Sequence, residues 1–527
     1  MNRTFLLMFA ALALAMALVG AAQHEHDRLG SVTFPTSCDP QVQADFERGV
    51  AMLHSYWFSY AGKVFQSVLD RDPSCTMAYW GIALDLLGNT LSAPPSRDAA
   101  RRAWDALEKA RAVEAKTERE RAWVDAIRTY FRDHDKLSVD ARLLAYDKAM
   151  RELSERYPDD FEAQVYYALT LQASAPKGDL TYANQFKSAA MLEKLYAKNP
   201  QHPGITHYLI HAYDFAPFAD KGIPAARRYA TIAPAVPHAR HMPAHIYSMT
   251  GMWEDSIASN LSALEIQPDY YHAADFTVYA HLQLAQDSKA AAMIEKALAT
   301  PPRGDRPAGI GDETARAAMP ARYVLERADW AAAAALPFGT TPYPQADSLT
   351  RFARGLGKVR TGDRAGARQE IAALETLQTA LEQAGERYWA DRTEEQILAV
   401  SAWAALADKA SDKAVALMRK AADGEDGSLK HVAMENRLYP LRELLADLLL
   451  ERGDARAAAV EYQASFRQTP NRFRGLYGAA RAAEAVGDRA KAAEYYGRLV
   501  ALARSGDGSR AELKRAQEYL EKYPGIR

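Results

Sequence analysis

Six of the chain's 13 histidines fall between His202 and His245. Five of them sit in HYLIHAYD (207–214) and HARHMPAH (238–245), three or four residues apart. On a helix that spacing puts side chains on one face. A pair such as His207/His211 or His241/His245 can offer two neutral imidazoles to one metal ion. Helices packed about 8–10 Å apart let two such pairs share it. His207, His211, His241 and His245 are therefore the first candidate ligands. Three or four imidazoles suit zinc or copper, whereas two with one carboxylate suit non-haem iron. A polar groove for an organic or peptide ligand, and plain packing histidines, are the competing readings. No HExxH, CxxCH, G-x-S-x-G, phosphate loop or paired-glycine motif is present, so no catalytic residue is assigned.

The elements that must position these residues follow from a repeat. LLLERGDARAAAVEYQ overlays AAEAVGDRAKAAEYYG at an offset of 34, pairing Gly453-Asp454 with Gly487-Asp488, Ala458 with Ala492, and Tyr462 with Tyr496. The same frame fits residues 42–75 through Gly49, Ala61, Phe65 and Pro73, and residues 362–371 through Gly362-Asp363, Ala367 and Ile371. It also fits three consecutive stretches, 203–236, 237–270 and 271–304. The small residues at fixed places, the aromatic that follows and the closing proline resemble the tetratricopeptide repeat (TPR) family.

That resemblance implies an all-α fold: an α-solenoid of helix–turn–helix units whose first helices line a concave groove. It places His238, His241, His245 and Ser248 on the groove face of one unit, Gly204, His207, His211 and Asp214 on that of the preceding one, and His272, Asp275 and Tyr279 on that of the next. His238, His272, Asp214 and Asp275 thereby become additional candidate ligands. Pro243, inside the expected helix, marks either a kink or a late helix start. FPTSC (34–38), MLHSYWF (52–58), DPSCTMAYWGIAL (72–84), HYLIH (207–211) and HMPAHIY (241–247) further resemble a group of exported bacterial TPR proteins. This resemblance implies fold and location but no chemistry.

The ends and the composition set the remaining expectations. Arg3, the apolar run Phe5–Val19 and Val19-Gly20-Ala21 form the three parts of a secretory signal peptide over 1–21, too short to span a bilayer as an anchor. The mature chain is expected in a periplasm or secreted, with no membrane span. Its two cysteines, Cys38 and Cys75, are expected to pair there, the other reading being two free thiols. The net charge of −2 argues against nucleic acid. The expected organisation is an extended segment (22–39), a first array with the histidine-rich groove (40–300), a Pro/Gly-rich linker and helical connector (301–347), and a second array (348–527). His54 is expected in core or groove, His281 in the core and His202 facing solvent. His24 lies near the new amino terminus, where it could help to wrap Cu(II) or Ni(II). Two function classes follow: a solenoid holding a divalent transition metal (Zn, Cu or Fe), and a non-catalytic scaffold for a peptide or protein partner.

Overall fold

The computed structural model describes residues 29–524 except 93, 303–307, 432–433, 435 and 509. The expected signal peptide, His24, and residues 303–307 of the connector lie outside the described residues. The chain is an all-α solenoid of TPR-like helical hairpins, as the repeat implied. Among the described residues no helix is long and apolar enough to cross a membrane.

Contacts divide the chain into two compact units. The first holds the residues up to Pro176, Tyr182–Tyr213 and Lys221–Pro243; the second holds Lys177–Thr181, Asp214–Asp220 and Ala244 onward. These units do not coincide with the arrays expected at 40–300 and 348–527.

The first unit begins with an extended strap tied down at two points. Phe34 is fully buried against Phe46, Trp80 and Trp123, with ring centroids 5.0–5.5 Å apart. Cys38 and Cys75 form a disulfide, their Cα atoms 4.8 Å apart. Helices α1 (Gln43–His54), α2 (Phe58–Arg71) and α3 (Thr76–Leu87) follow. Later in the unit come α4 (Phe161–Ala173), α5 (Pro203–Tyr213), α6 (Ile223–Ile232) and α7 (Pro237–His241). α8 (Pro243–Thr250) succeeds α7 after Met242 alone, which keeps helical dihedrals. Pro243 has no amide to donate to Ala239, so the ladder is interrupted and a new helix opens on the proline.

The second unit includes α9 (Trp253–Ile266), α10 (Tyr271–Gln283), α11 (Ile310–Glu326) and a later series with α12 (Leu441–Arg452), α13 (Ala455–Ser465), α14 (Phe473–Ala485) and α15 (Arg489–Leu502), followed by a last helix, Ala511–Lys522. Its hairpins explain the Gly-Asp signature. Gly453 (φ 94°) and Gly487 (φ 83°) end α12 and the helix 34 residues later in left-handed backbone, which glycine adopts at no steric cost. Asp454 and Asp488 then cap the next helices, accepting from Ala457 N at 3.1 Å and Lys491 N at 3.0 Å. Ala458, Tyr462, Ala492 and Tyr496 are all buried.

This unit also closes on itself. Trp253 Nε1 donates to Asn471 O (2.7 Å), Asp507 N to Ala285 O (2.9 Å), and Gln286 Nε2 to Ser505 Oγ (2.8 Å). Buried arginines staple the closure. Arg472 bridges Glu326 and Glu443 at 2.8 Å each and donates to Tyr279 Oη, and Arg510 pairs with Asp287 at 2.6 Å.

Aromatic-on-glycine contacts recur at equivalent places. A Cβ built on Gly81 would sit 2.5 Å from the Phe65 ring, and one on Gly478 would sit 2.2 Å from the Tyr462 ring, sixteen residues on in both cases. Gly497, in α15, has open space around it. Gly478→Ala should therefore destabilise the protein by about 1–3 kcal/mol through overpacking. Gly497→Ala should be neutral or stabilise it by up to about 1 kcal/mol through helix propensity. Urea unfolding of the two variants against the parent measures the opposite signs.

Candidate metal centre

The first unit brings His207, His211 and His238 together. α5 carries the first two one turn apart, and α7 carries the third. His207 Nδ1 lies 2.6 Å from the backbone carbonyl of His54, at the end of α1. A carbonyl only accepts, so Nδ1 holds the proton and Nε2 the lone pair. His211 Nε2 and His238 Nε2 each lie 3.0 Å from that lone-pair nitrogen. The three ligand atoms lie within 4.8 Å of one another. Metal–imidazole bonds of about 2.0–2.1 Å put tetrahedral nitrogens about 3.3 Å apart, and the two separations from His207 Nε2 are a few tenths of an ångström shorter than that. His207 is fully buried, His211 nearly so, and His238 partly exposed.

Aromatic rings wall the three imidazoles. Tyr229 stacks on His207 (5.2 Å, 15°). Tyr56 stacks on His238 (5.3 Å, 26°) and meets His207 edge-on at 4.5 Å. Tyr56 occupies the turn between α1 and α2, the place that glycine takes in the Gly-Asp hairpins, with φ of 53°. Left-handed backbone costs a non-glycine residue about 1–2 kcal/mol. Burial pushes the Tyr56 and Tyr229 hydroxyls above their ordinary range, so both rings stay neutral.

A second group lies directly behind. Glu162, on α4, accepts from His54 Nε2 at 2.8 Å and from His202 Nε2 at 2.9 Å, and all three side chains are fully buried. These residues could also hold a metal by composition and proximity, but their hydrogen bonds assign them otherwise. His202 Nδ1 faces the Ile205 amide (3.3 Å) and must accept. Its Nε2 therefore carries the proton and donates to Glu162. His202 caps α5 rather than facing solvent as the sequence led one to expect. His54 Nδ1 is bonded to Tyr208 Oη at 3.0 Å. A Cβ on Gly204 would fall 2.4 Å from His54 Nδ1, so that glycine leaves room for the ring. Burial alone would raise the Glu162 carboxyl; the electrostatic pull and hydrogen bonds of the His202 and His54 rings outweigh it and hold it at about 2. Burial lowers the His54 imidazole, against the pull of Glu162.

The other candidates fall elsewhere. His241 ends α7, buried, its ring 6.2 Å from that of His238. In the second unit His245 Nδ1 donates to Asp214 Oδ2 (2.7 Å), and His272 lies 5.9 Å from His245 between ring centroids. Asp275 is not brought to a histidine: Arg322 engages both its oxygens, at 2.8 and 3.2 Å. His281 is buried against Gln286, as expected of a core residue. His207, His211, Asp214, His241, His245 and Asp275, expected on groove faces, are all buried. Sequence reasoning missed Tyr56 and Glu162. The signal for Tyr56 was a non-glycine residue at a repeat turn, and for Glu162 the lone charge in α4.

No protein-family model matches the chain, and no curated protein matches its sequence. Among solved structures it is similar to the APC/C hetero-tetramer Cut9-Hcn1 (13% identity, covering 92% of this chain and 78% of that one, TM-score 0.35). It is also similar to the human IFIT1 dimer with PPP-AAAA (13%, 86% and 89%, 0.36) and to Naa15/Naa10 bound to HypK-THB (12%, 92% and 75%, 0.25). At this level of similarity no residue role carries over to this chain.

The Glu162 clamp has a pH signature. A carboxyl held at about 2 when folded, against 4.5 as a free side chain, adds stability above pH ~4.5 that is lost as pH falls toward 2. His54, whose folded pKa lies below its ordinary 6.5, adds a loss of the same sign that begins below pH ~6.5. Glu162→Gln should lower stability at neutral pH and flatten its decline between pH 4.5 and 3, as read by urea unfolding across that range. An unchanged slope would remove Glu162 from this role.

Proposed function

We propose that the chain is an exported TPR-like scaffold that holds a transition-metal ion on His207, His211 and His238. The observation that carries this reading is the convergence of three Nε2 atoms when the central one has its proton committed elsewhere, on the His54 carbonyl. Neutral imidazoles of this kind suit zinc or copper. The iron reading needed a carboxylate, but Asp275 is engaged by Arg322, and Asp214 by His245 and Lys430. Three protein ligands leave a further coordination position for water or a ligand molecule. The solenoid itself is an architecture suited to a protein or peptide partner. Export is supported by the amino-terminal sequence pattern and by the Cys38–Cys75 pairing.

Metal-free protein should bind Zn(II) or Cu(II) in calorimetry, and His211→Ala/His238→Ala should weaken that binding at least 100-fold with the helical circular dichroism unchanged. Binding as tight as the parent's would sink the reading.

Expressed in a Gram-negative host, the chain should be recovered from the periplasm with its first ~20 residues removed. Amino-terminal sequencing that finds Met1 intact on cytoplasmic protein would refute the export half of the proposal.

A further inference from the structure

We propose that His245 and His272, in the second unit, hold a second transition-metal ion, with Asp214 as the residue that orients His245. Different residues carry this inference from those of the first centre, and it stands or falls separately.

The argument begins with the Asp214 carboxylate. Its Oδ2 accepts from His245 Nδ1 at 2.7 Å and its Oδ1 lies 2.6 Å from Lys430 Nζ. A carboxylate accepts, so Nδ1 of His245 carries the proton and Nε2 the lone pair. Lys430 already balances the charge of Asp214. Charge neutrality therefore does not require a protonated His245, and the hydrogen bond serves to fix its tautomer and ring orientation. A carboxylate on the far nitrogen of an imidazole is the recurrent second layer behind a metal-bound histidine.

The surroundings fix the ring further. His245 is 2% exposed and stacks on Phe276 (5.1 Å, 27°), and His272 meets the same Phe276 ring edge-on at 5.1 Å. One phenyl ring thus spaces both imidazoles, whose centroids are 5.9 Å apart. An ion bound through an imidazole nitrogen at about 2.0–2.1 Å lies about 3 Å from the ring centroid. Two imidazoles on one ion therefore have centroids about 5–6 Å apart, and the observed separation falls in that range. His272 is partly exposed, which gives an ion a route to the pair.

Metal content per chain tests this. Protein stripped of metal, loaded with excess Zn(II), desalted and measured by plasma mass spectrometry should hold two ions. His245→Ala/His272→Ala should hold one, and His211→Ala/His238→Ala should hold the other one. Asp214→Asn should weaken only the second site, about 10–100-fold in competition with a chromophoric chelator. His272→Ala alone, at the partly exposed position, covers the case in which the double variant fails to fold. A parent that binds one ion, unaffected by His272→Ala and lost in His211→Ala/His238→Ala, overturns this inference and leaves the first centre intact. One ion lost only on changing His245 and His272 does the reverse.

Discussion

The candidate centre depends on one hydrogen bond, from His207 Nδ1 to the carbonyl of His54. It commits the only proton of a neutral imidazole and leaves the opposite nitrogen as a lone pair among two others. The carbonyl belongs to the last residue of α1, whose side chain is locked by Glu162 and Tyr208. Two residues later Tyr56 turns the chain in left-handed backbone and lays its ring over the imidazoles. Residues 54–56 thus supply the tautomer lock and one aromatic wall, while α5 and α7 supply the ligands. Orientation and chemistry come from different helices, so neither survives without the packing of the hairpins.

Much of the fold was legible because a repeat imposes the same packing problem several times. Small residues at 458 and 492, aromatics at 462 and 496, and the Gly-Asp turns between them report buried contacts within one hairpin, and local pattern suffices to find these. The closure of the second unit was not legible. Gln286 and Ser505 are 219 residues apart, and a contact at that range leaves no periodic trace in the sequence. The arginines that staple it, Arg472 and Arg510, look from the sequence like ordinary solvated charges.

The histidine cluster was legible as a cluster, and its partners were only partly so. The repeat frame pairs equivalent positions, setting His207 beside His241. In the structure His238 is the residue that meets His207, 31 residues on rather than 34. Neighbouring helices cross at an angle, which displaces contacts by about one turn from equivalent places. The frame placed these residues on a groove face, because it describes where a first helix points and not what packs over it. His207 and His211 are instead buried beneath Tyr56 and Tyr229.

The two histidine groups of the first unit show why residue type alone does not define a metal site. His202 and His207 are five residues apart, both are fully buried, and each belongs to a group of three potential ligands. What separates them is the partner of Nδ1. For His202 it is an amide, which forces the proton onto Nε2 and toward Glu162; for His207 it is a carbonyl, which forces the lone pair onto Nε2 and toward two more imidazoles. A carboxylate between two N–H donors is a satisfied buried ion cluster whose breakage leaves charge in a dry interior. At His207 the lone pair instead faces two further imidazole nitrogens at 3.0 Å, a donor set of the type that the proposed metal site uses. The same side-chain type therefore donates to a carboxylate at one end of α5 and presents a lone pair to two imidazoles one turn later, and the backbone atom facing each ring makes the difference.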